Sequence, residues 1–329
     1  MKEKRLFKFG ILALSIVLIA CTGGSAEAGC PEIDGREINV VATTPMIGEF
    51  VSQVGGDNIN LTVLMPAEAD PHTYDPAPQD AGTIADADLV FYTGLKYEPA
   101  ALVKLLENSA CSAEVLAEVG ENVFPIEFKE GGHDDHHDDH DEEGHDDHAG
   151  HDHGAYDPHF WFDPNRVAYA AEYIESKLVE FDPSNASEYE AAGKAYVTEL
   201  KGLVGQVSEL ISTIPSQNRK LITTHESLGY LEAKFGLEVL STIIPSIDSA
   251  NEISPSQLVG VIDVIEDNNV KVIFIEAEAP SVYAETIVAE TGIKAVEGLW
   301  VETLKEGQSY SEFLFDAVEL IVENLRNTD

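Results

Sequence analysis

Eight of the 11 histidines in this 329-residue chain fall within one stretch, 133–153. The other three, His72, His159 and His225, stand far apart along the sequence. His72 lies in Asp70-Pro71-His72-Thr73-Tyr74-Asp75-Pro76. His159 lies in Asp157-Pro158-His159-Phe160-Trp161-Phe162-Asp163-Pro164. His225 follows Thr223-Thr224 and precedes Glu226-Ser227. Neutral imidazole is the commonest side-chain metal ligand, and three of them with one oxygen suit zinc. The prolines stiffen the backbone around His72 and His159. A stiff loop loses less entropy when its side chain is fixed on a ligand. Taken singly, each histidine also reads as a turn residue or a satisfied core residue. What favours a shared metal is that all three sit at predicted strand ends or just before a predicted helix.

Those positions follow from an alternation of short apolar runs with helix-like stretches. The runs span 38–43, 61–65 and 88–92 in the first half, and 220–224, 238–243, 271–275 and 293–296 in the second. Such alternation predicts an α/β fold with parallel sheets covered by helices on both faces. His72 and His225 follow strands, where α/β folds place their ligands. Between the halves, Tyr196, Leu200, Leu203, Val207, Leu210 and Ile214 recur at intervals of 4, 3, 4, 3 and 4, one stripe of a helix. This predicts a linking helix over 184–214, started by Asp182-Pro183 or by a Ser187–Glu190 capping box and ended by Pro215. A preceding helix is expected with Asp163 as N-cap, Pro164 at its first position, and Val167, Ala171, Ile174, Leu178 and Phe181 on one face. The predicted architecture is two lobes, each a mostly parallel sheet flanked by helices, joined by one long backbone helix. Its divisions are a signal at 1–20, a tether at 21–36, a first lobe at 37–183, the helix at 184–214 and a second lobe at 215–329.

The 133–153 stretch breaks this pattern. It holds His133, His136, His137, His140, His145, His148, His151 and His153 with eight Asp and two Glu. With nothing large and apolar to bury, a disordered insertion over 130–154 is expected, acting as an auxiliary metal-binding loop.

Charge narrows the functional classes. Asp and Glu number 60 against 19 Lys and Arg, a formal net charge of -41. That composition argues against nucleic acid and against anionic lipid as partners, and favours cations. At the N-terminus, Lys2, Lys4, Arg5 and Lys8 precede an apolar run over 9–20, an export signal too short for a comfortable membrane span. The run ends at Cys21 in a pattern that resembles a lipoprotein signal, in which that cysteine carries lipid. The expected location is extracytoplasmic, either anchored to the cell membrane as a lipoprotein or periplasmic. Setting Cys21 aside leaves Cys30 and Cys111, which an oxidising compartment allows to pair.

The motifs DPHTYDP at 70–76, DPHFWFDP at 157–164, TTHESLGYL at 223–231 and AETIVAETG at 284–292 together resemble the metal-specific substrate-binding proteins of zinc and manganese ABC transporters. The resemblance is to the zinc-uptake branch, and it covers nearly the whole mature chain. It implies two lobes with metal held in the cleft between them by His72, His159 and His225. A histidine at 225, where manganese-selective relatives typically carry glutamate, favours Zn²⁺ over Mn²⁺. For the fourth ligand many relatives supply an aspartate after the last strand of the second lobe, and this chain has none there. Glu297, slightly preferred as a strand-end residue, Glu302 or water takes that place. Glu276 is expected to bind loop backbone or a ligand histidine instead. The implied partner is an ABC permease, with the protein a monomer. A zinc buffer or surface adhesin would use the same fold. A zinc hydrolase with Glu226 as base is disfavoured, because no His-Glu-x-x-His helix is present.

Overall fold

A computed structural model describes residues 30, 33, 35–128, 156–279 and 281–327. The signal, Cys21 and the histidine-rich stretch lie outside the described residues. The fold is two four-stranded, all-parallel sheets of matching order. In the first, β1 (Ile38–Ala42) pairs with β2 (Ile59–Val63) and β3 (Leu89–Tyr92), and β3 pairs with β4 (Leu116–Glu118). In the second, β5 (Lys220–Thr223) pairs with β6 (Glu238–Thr242) and β7 (Val272–Glu276), and β7 pairs with β8 (Lys294–Leu299). Apolar content sorts the strands by position. Val-Ile-Phe-Ile-Glu of central β7 is buried throughout, whereas the edge strands β2 and β8 expose several residues.

Each sheet steps outward from its first strand, then returns to add its third strand on the other side. The two switch points, between β1 and β3 and between β5 and β7, open a crevice beyond the strand carboxyl ends. Helix starts around this crevice are capped as the sequence dictates. Thr44 accepts from the Ile47 N–H to begin α1 (Pro45–Gly55), and Asp163 accepts from the Asn165 N–H to begin α4 (Pro164–Phe181).

The linking helix α5 (Ala186–Ser212) has 27 residues, about 40 Å at 1.5 Å per residue. Of its predicted stripe, Tyr196, Leu200, Leu203 and Val207 are buried, and Leu210 is half-buried. Its start differs from expectation. Asp182 caps a short 3₁₀ turn (Pro183–Asn185), because its carboxylate is taken by the Asn185 amide at 2.7 Å and the Tyr189 hydroxyl at 2.8 Å. Ser187 donates to Glu188 and forms no capping box with Glu190. Strand β4, unforeseen, has three residues, too few to show a period.

A second link joins the lobes. After β8 the chain crosses to the first lobe, where Trp161 Nε1 donates to Val301 O at 2.8 Å and Glu68 N to Leu304 O at 3.2 Å. It then enters α9 (Tyr310–Leu325), whose Tyr310 packs edge-on against Phe50 and donates to Trp161 O at 2.7 Å. One apolar core accordingly runs through both lobes, from Phe50 and Trp161 through Val207 to Phe274 and Phe313. A shared core resists wide opening of the crevice.

Cys30 is bonded to Cys111, across 81 residues of sequence, with Cα atoms 5.0 Å apart. In the chain-entropy account, closing a loop of that size stabilises the fold by about 4 kcal/mol. A reductant, or the C30A/C111A variant, is expected to lower the melting temperature of the metal-free protein, as a thermal melt followed by circular dichroism will show.

Candidate metal centre

The crevice collects four donors from four separate places in the chain. His72 sits on a one-turn 3₁₀ segment (Pro71–Thr73), with Asp70 Oδ1 accepting from its backbone N–H at 3.0 Å. His159 precedes another such turn (Phe160–Phe162), and Asp157 Oδ1 accepts from its backbone N–H at 2.9 Å. The two Asp-Pro-His stretches thus build the same local turn. His225 lies just beyond β5, at the switch point of the second sheet, and Glu302 on the crossover after β8. His159, His225 and Glu302 are fully buried, and the His72 side chain is 5% exposed.

Glu302 Oε1 is the common point. It lies 3.4 Å from His72 Nε2, 3.2 Å from His159 Nε2 and 2.7 Å from His225 Nε2. One donor atom from each of the four residues falls within 4.8 Å of the others. Donors 2.0–2.1 Å from a tetrahedral zinc stand about 3.3 Å apart, close to the separations of His72 and His159 from Glu302 Oε1. The Nε2 atoms of His72 and His225 are buried, and each faces Glu302 Oε1 without the alignment of a good hydrogen bond. Poorly satisfied buried nitrogens are costly, and a cation at their centre would satisfy them.

The rings are aimed from behind. Asp157 Oδ1 holds His159 Nδ1 at 2.8 Å, and Glu276 Oε2 holds His225 Nδ1 at 2.5 Å. Glu276 Oε1 also accepts from the His225 N–H and from Ser227 Oγ. A carboxylate on Nδ1 fixes the tautomer that presents Nε2 to a metal. Glu302 is positioned as tightly. Glu278 Oε1 accepts from the N–H groups of residues 301, 302 and 303 at 3.0, 3.0 and 3.3 Å. Tyr97, 1% exposed, donates to Glu302 Oε2 at 2.8 Å and lies 3.1 Å from Glu302 O. Tyr230, from the second lobe, donates to Asp157 O at 2.9 Å and accepts from the Ile126 N–H. Gly229 beside it allows this approach, because a Cβ there would meet Asp157 Oδ2 at 2.5 Å.

The electrostatics favour positive charge. Burial opposes a charged imidazole at His159, but Glu302 and Asp157 outweigh it and raise its pKa to about 9. At His225 burial again opposes charge, and Glu276 and Glu302 carry the pKa well above the usual histidine value. Burial would raise the Glu302 pKa, yet His159, His72 and His225 hold it well below the usual carboxylate range. Three carboxylates face three imidazoles here, a field that attracts positive charge, whether carried by a proton or by a metal cation.

Glu297 is a correction. Strand β8 continues through Leu299, past a bulge at which Glu276 pairs with Leu299, so Glu297 is a mid-strand residue with its side chain exposed. Glu302, five residues on, stands among the histidines. Glu226 is turned to Thr242, whose hydroxyl it accepts at 3.0 Å, and burial raises its pKa to about 7. Sequence reasoning missed Tyr97, Asp157, Glu278 and Tyr230. Asp157 had a legible signal, the Asp-Pro-His repeat; the other three carry none.

Comparisons place the chain among known proteins. The profile of the ZnuA family, described as zinc-uptake complex component A periplasmic, matches residues 40–327. The high-affinity zinc uptake system protein ZnuA of Bacillus subtilis (strain 168) is 29% identical over 327 residues, 96% of each chain. The manganese ABC transporter substrate-binding lipoprotein PsaA of Streptococcus anginosus is 28% identical over 331 residues, 98% of this chain and 99% of that one. The manganese-binding lipoprotein MntA of Halalkalibacterium halodurans is 24% identical, covering 96% of each. Among solved structures, the periplasmic zinc binding protein TroA from Treponema pallidum superposes with a TM-score of 0.73 at 22% identity, over 88% of this chain and 99% of that one. A crystal structure of ZnuA superposes at 0.71 with 26% identity and the same coverage. With the family profile matched over residues 40–327 and the fold shared over 88% of the chain, this protein belongs to the ZnuA family.

Proposed function

We propose that this protein captures Zn²⁺ with His72, His159, His225 and Glu302 and delivers it to its permease. The coarser role is that of an extracytoplasmic, metal-binding substrate-binding protein of an ABC transporter, not an enzyme. The observation that carries the zinc reading is the donor set, three nitrogens and one oxygen around one point. Imidazole suits zinc, whereas manganese prefers carboxylate, carbonyl and water oxygens. Relatives named for manganese and for zinc both match this chain, and the nitrogen-rich donor set is what supports zinc between them.

No covalent chemistry is required of the residues. His72 and His159 belong to the first lobe and His225 to the second, with Glu302 on the crossover between them. A cation bound to all four holds the crevice closed. With one core shared by both lobes, release requires only a small tilt or local loop opening, which the permease would read on the crevice face. The eight histidines of 133–153 serve as weak auxiliary ligands that raise local zinc when metal is scarce.

Metal analysis of protein lacking residues 129–155 tests the core reading. One tightly held zinc per chain is expected, retained against excess manganese. Zinc lost entirely with the deleted stretch, or displaced by stoichiometric manganese, would overturn it.

A further inference from the structure

Glu302 offers two carboxylate oxygens, but the fold has already committed one of them. Oε1 faces the three Nε2 atoms, while Oε2 accepts from the Tyr97 hydroxyl at 2.8 Å. Tyr97 is almost fully buried, and its ring packs edge-on against His72 at 5.1 Å, His159 at 6.0 Å and Trp161 at 5.3 Å. It cannot swing away without disturbing that aromatic cluster.

The loop that delivers Tyr97 is held in an unusual conformation. Gly94, Leu95 and Lys96 all have left-handed backbones, with φ of 76°, 53° and 64°. For Leu95 and Lys96 this costs of order 1 kcal/mol each, and such strain persists only where the surroundings over-determine it. They do so here. Glu98 accepts from the Thr43 hydroxyl and from the N–H groups of Thr93 and Gly94, and Glu118 accepts from the Leu95 N–H. Two buried or half-buried carboxylates thus fix a strained turn whose next residue reaches the metal centre.

We infer that Tyr97 is a specificity-determining residue, which restricts Glu302 to one ligating oxygen and so caps the centre at four donors. The inference rests on the zinc reading above. Four donors rich in nitrogen complete the shell of Zn²⁺, whereas Mn²⁺ takes six, mainly oxygen. A carboxylate free to bind through both oxygens would add a donor and favour the larger shell. The chain achieves discrimination by withholding an oxygen rather than by adding a ligand.

The test uses the full mature chain with Tyr97→Phe, which keeps the ring and removes only the hydroxyl. Zinc and manganese affinities are measured by chelator competition, and one equivalent of Co²⁺ reports coordination through its visible spectrum. Wild type is expected to give the intense bands of four-coordinate cobalt, and Y97F the weaker bands of a larger shell. The zinc-over-manganese affinity ratio should fall at least about tenfold, the usual effect of removing a group that hydrogen-bonds to a metal ligand. An unchanged spectrum together with an unchanged ratio in Y97F overturns the inference. Should Y97F fail to fold, the wild-type spectrum decides alone, because weak six-coordinate bands would sink it. A H225A control separates the two readings. Cobalt bands unchanged in position and intensity in H225A refute the metal centre itself, whereas bands altered or lost in H225A but unmoved in Y97F refute only the role of Tyr97.

Discussion

His225→Ala is expected to weaken zinc binding by more than about 100-fold, beyond the range usual for losing a residue that only hydrogen-bonds to a ligand. His225 is the one histidine that the second lobe gives to the cluster, so its loss also removes that lobe's imidazole grip on the ion. The same substitution should destabilise the metal-free protein. Glu276 would keep only the 225 N–H and Ser227 Oγ as partners, and Glu302 would lose its nearest imidazole. Leaving a buried charge without its partner costs about 3 kcal/mol or more. His72→Ala serves as the comparison, since it removes a proposed ligand but leaves the His225–Glu276 pair intact. It should lose zinc affinity with a smaller fall in melting temperature. Calorimetric zinc titration and thermal melts of both metal-free variants check the pair. Zinc held by H225A within tenfold of wild type would refute the assigned ligand.

The second large effect is on pH. In the metal-free protein the His159 pKa is raised to about 9, and that of His225 lies well above the usual value. Zinc binds neutral imidazole, so at pH 7 it must displace these protons. Each displaced proton makes affinity rise tenfold per pH unit until the pKa is passed. Zinc affinity should therefore keep climbing from pH 6 to about 9, rather than levelling near the ordinary histidine value of about 6.5. The stability of the metal-free protein runs the opposite way. A raised histidine pKa contributes stability that is fully present below the unfolded value and lost as pH rises through the folded one. For His159 that window runs from about 6.5 to about 9. Glu302, with its pKa lowered, adds stability that is lost only in strong acid. Calorimetry in buffers of differing ionisation enthalpy counts the released protons. Fewer than one proton per zinc at pH 7 would contradict the assignment.

How much of this was legible depended on whether a residue's signal was local. The strands other than β4, and α4, were readable because apolar runs and caps such as Asp163-Pro164 act within a few residues. The histidines were readable through scarcity and stiff neighbours. Glu302 was legible only as one of several candidates. What decided against Glu297 was a bulge in β8, set by pairing with β7 rather than by any nearby residue. Tyr97, Glu278 and Tyr230 were not readable, because each acts on a partner 24 to 205 residues away in the chain. The start of α5 failed for a similar reason on a smaller scale. Asp182 is a good cap in isolation, but Tyr189, two turns on, competes for its carboxylate.

The Cys30–Cys111 bond has a consequence for where the crevice can travel. For a chain anchored by lipid at Cys21, the path along the chain from anchor to fold is tied down at Cys30, nine residues on, instead of near β1. At about 3.5 Å per extended residue, that leash reaches roughly 30 Å at most. Freed of the bond, the slack would run from Cys21 to β1 at Ile38, and the reach would nearly double. A shorter leash confines the protein to a thinner shell above the bilayer, and so raises its encounter frequency with a transporter embedded there.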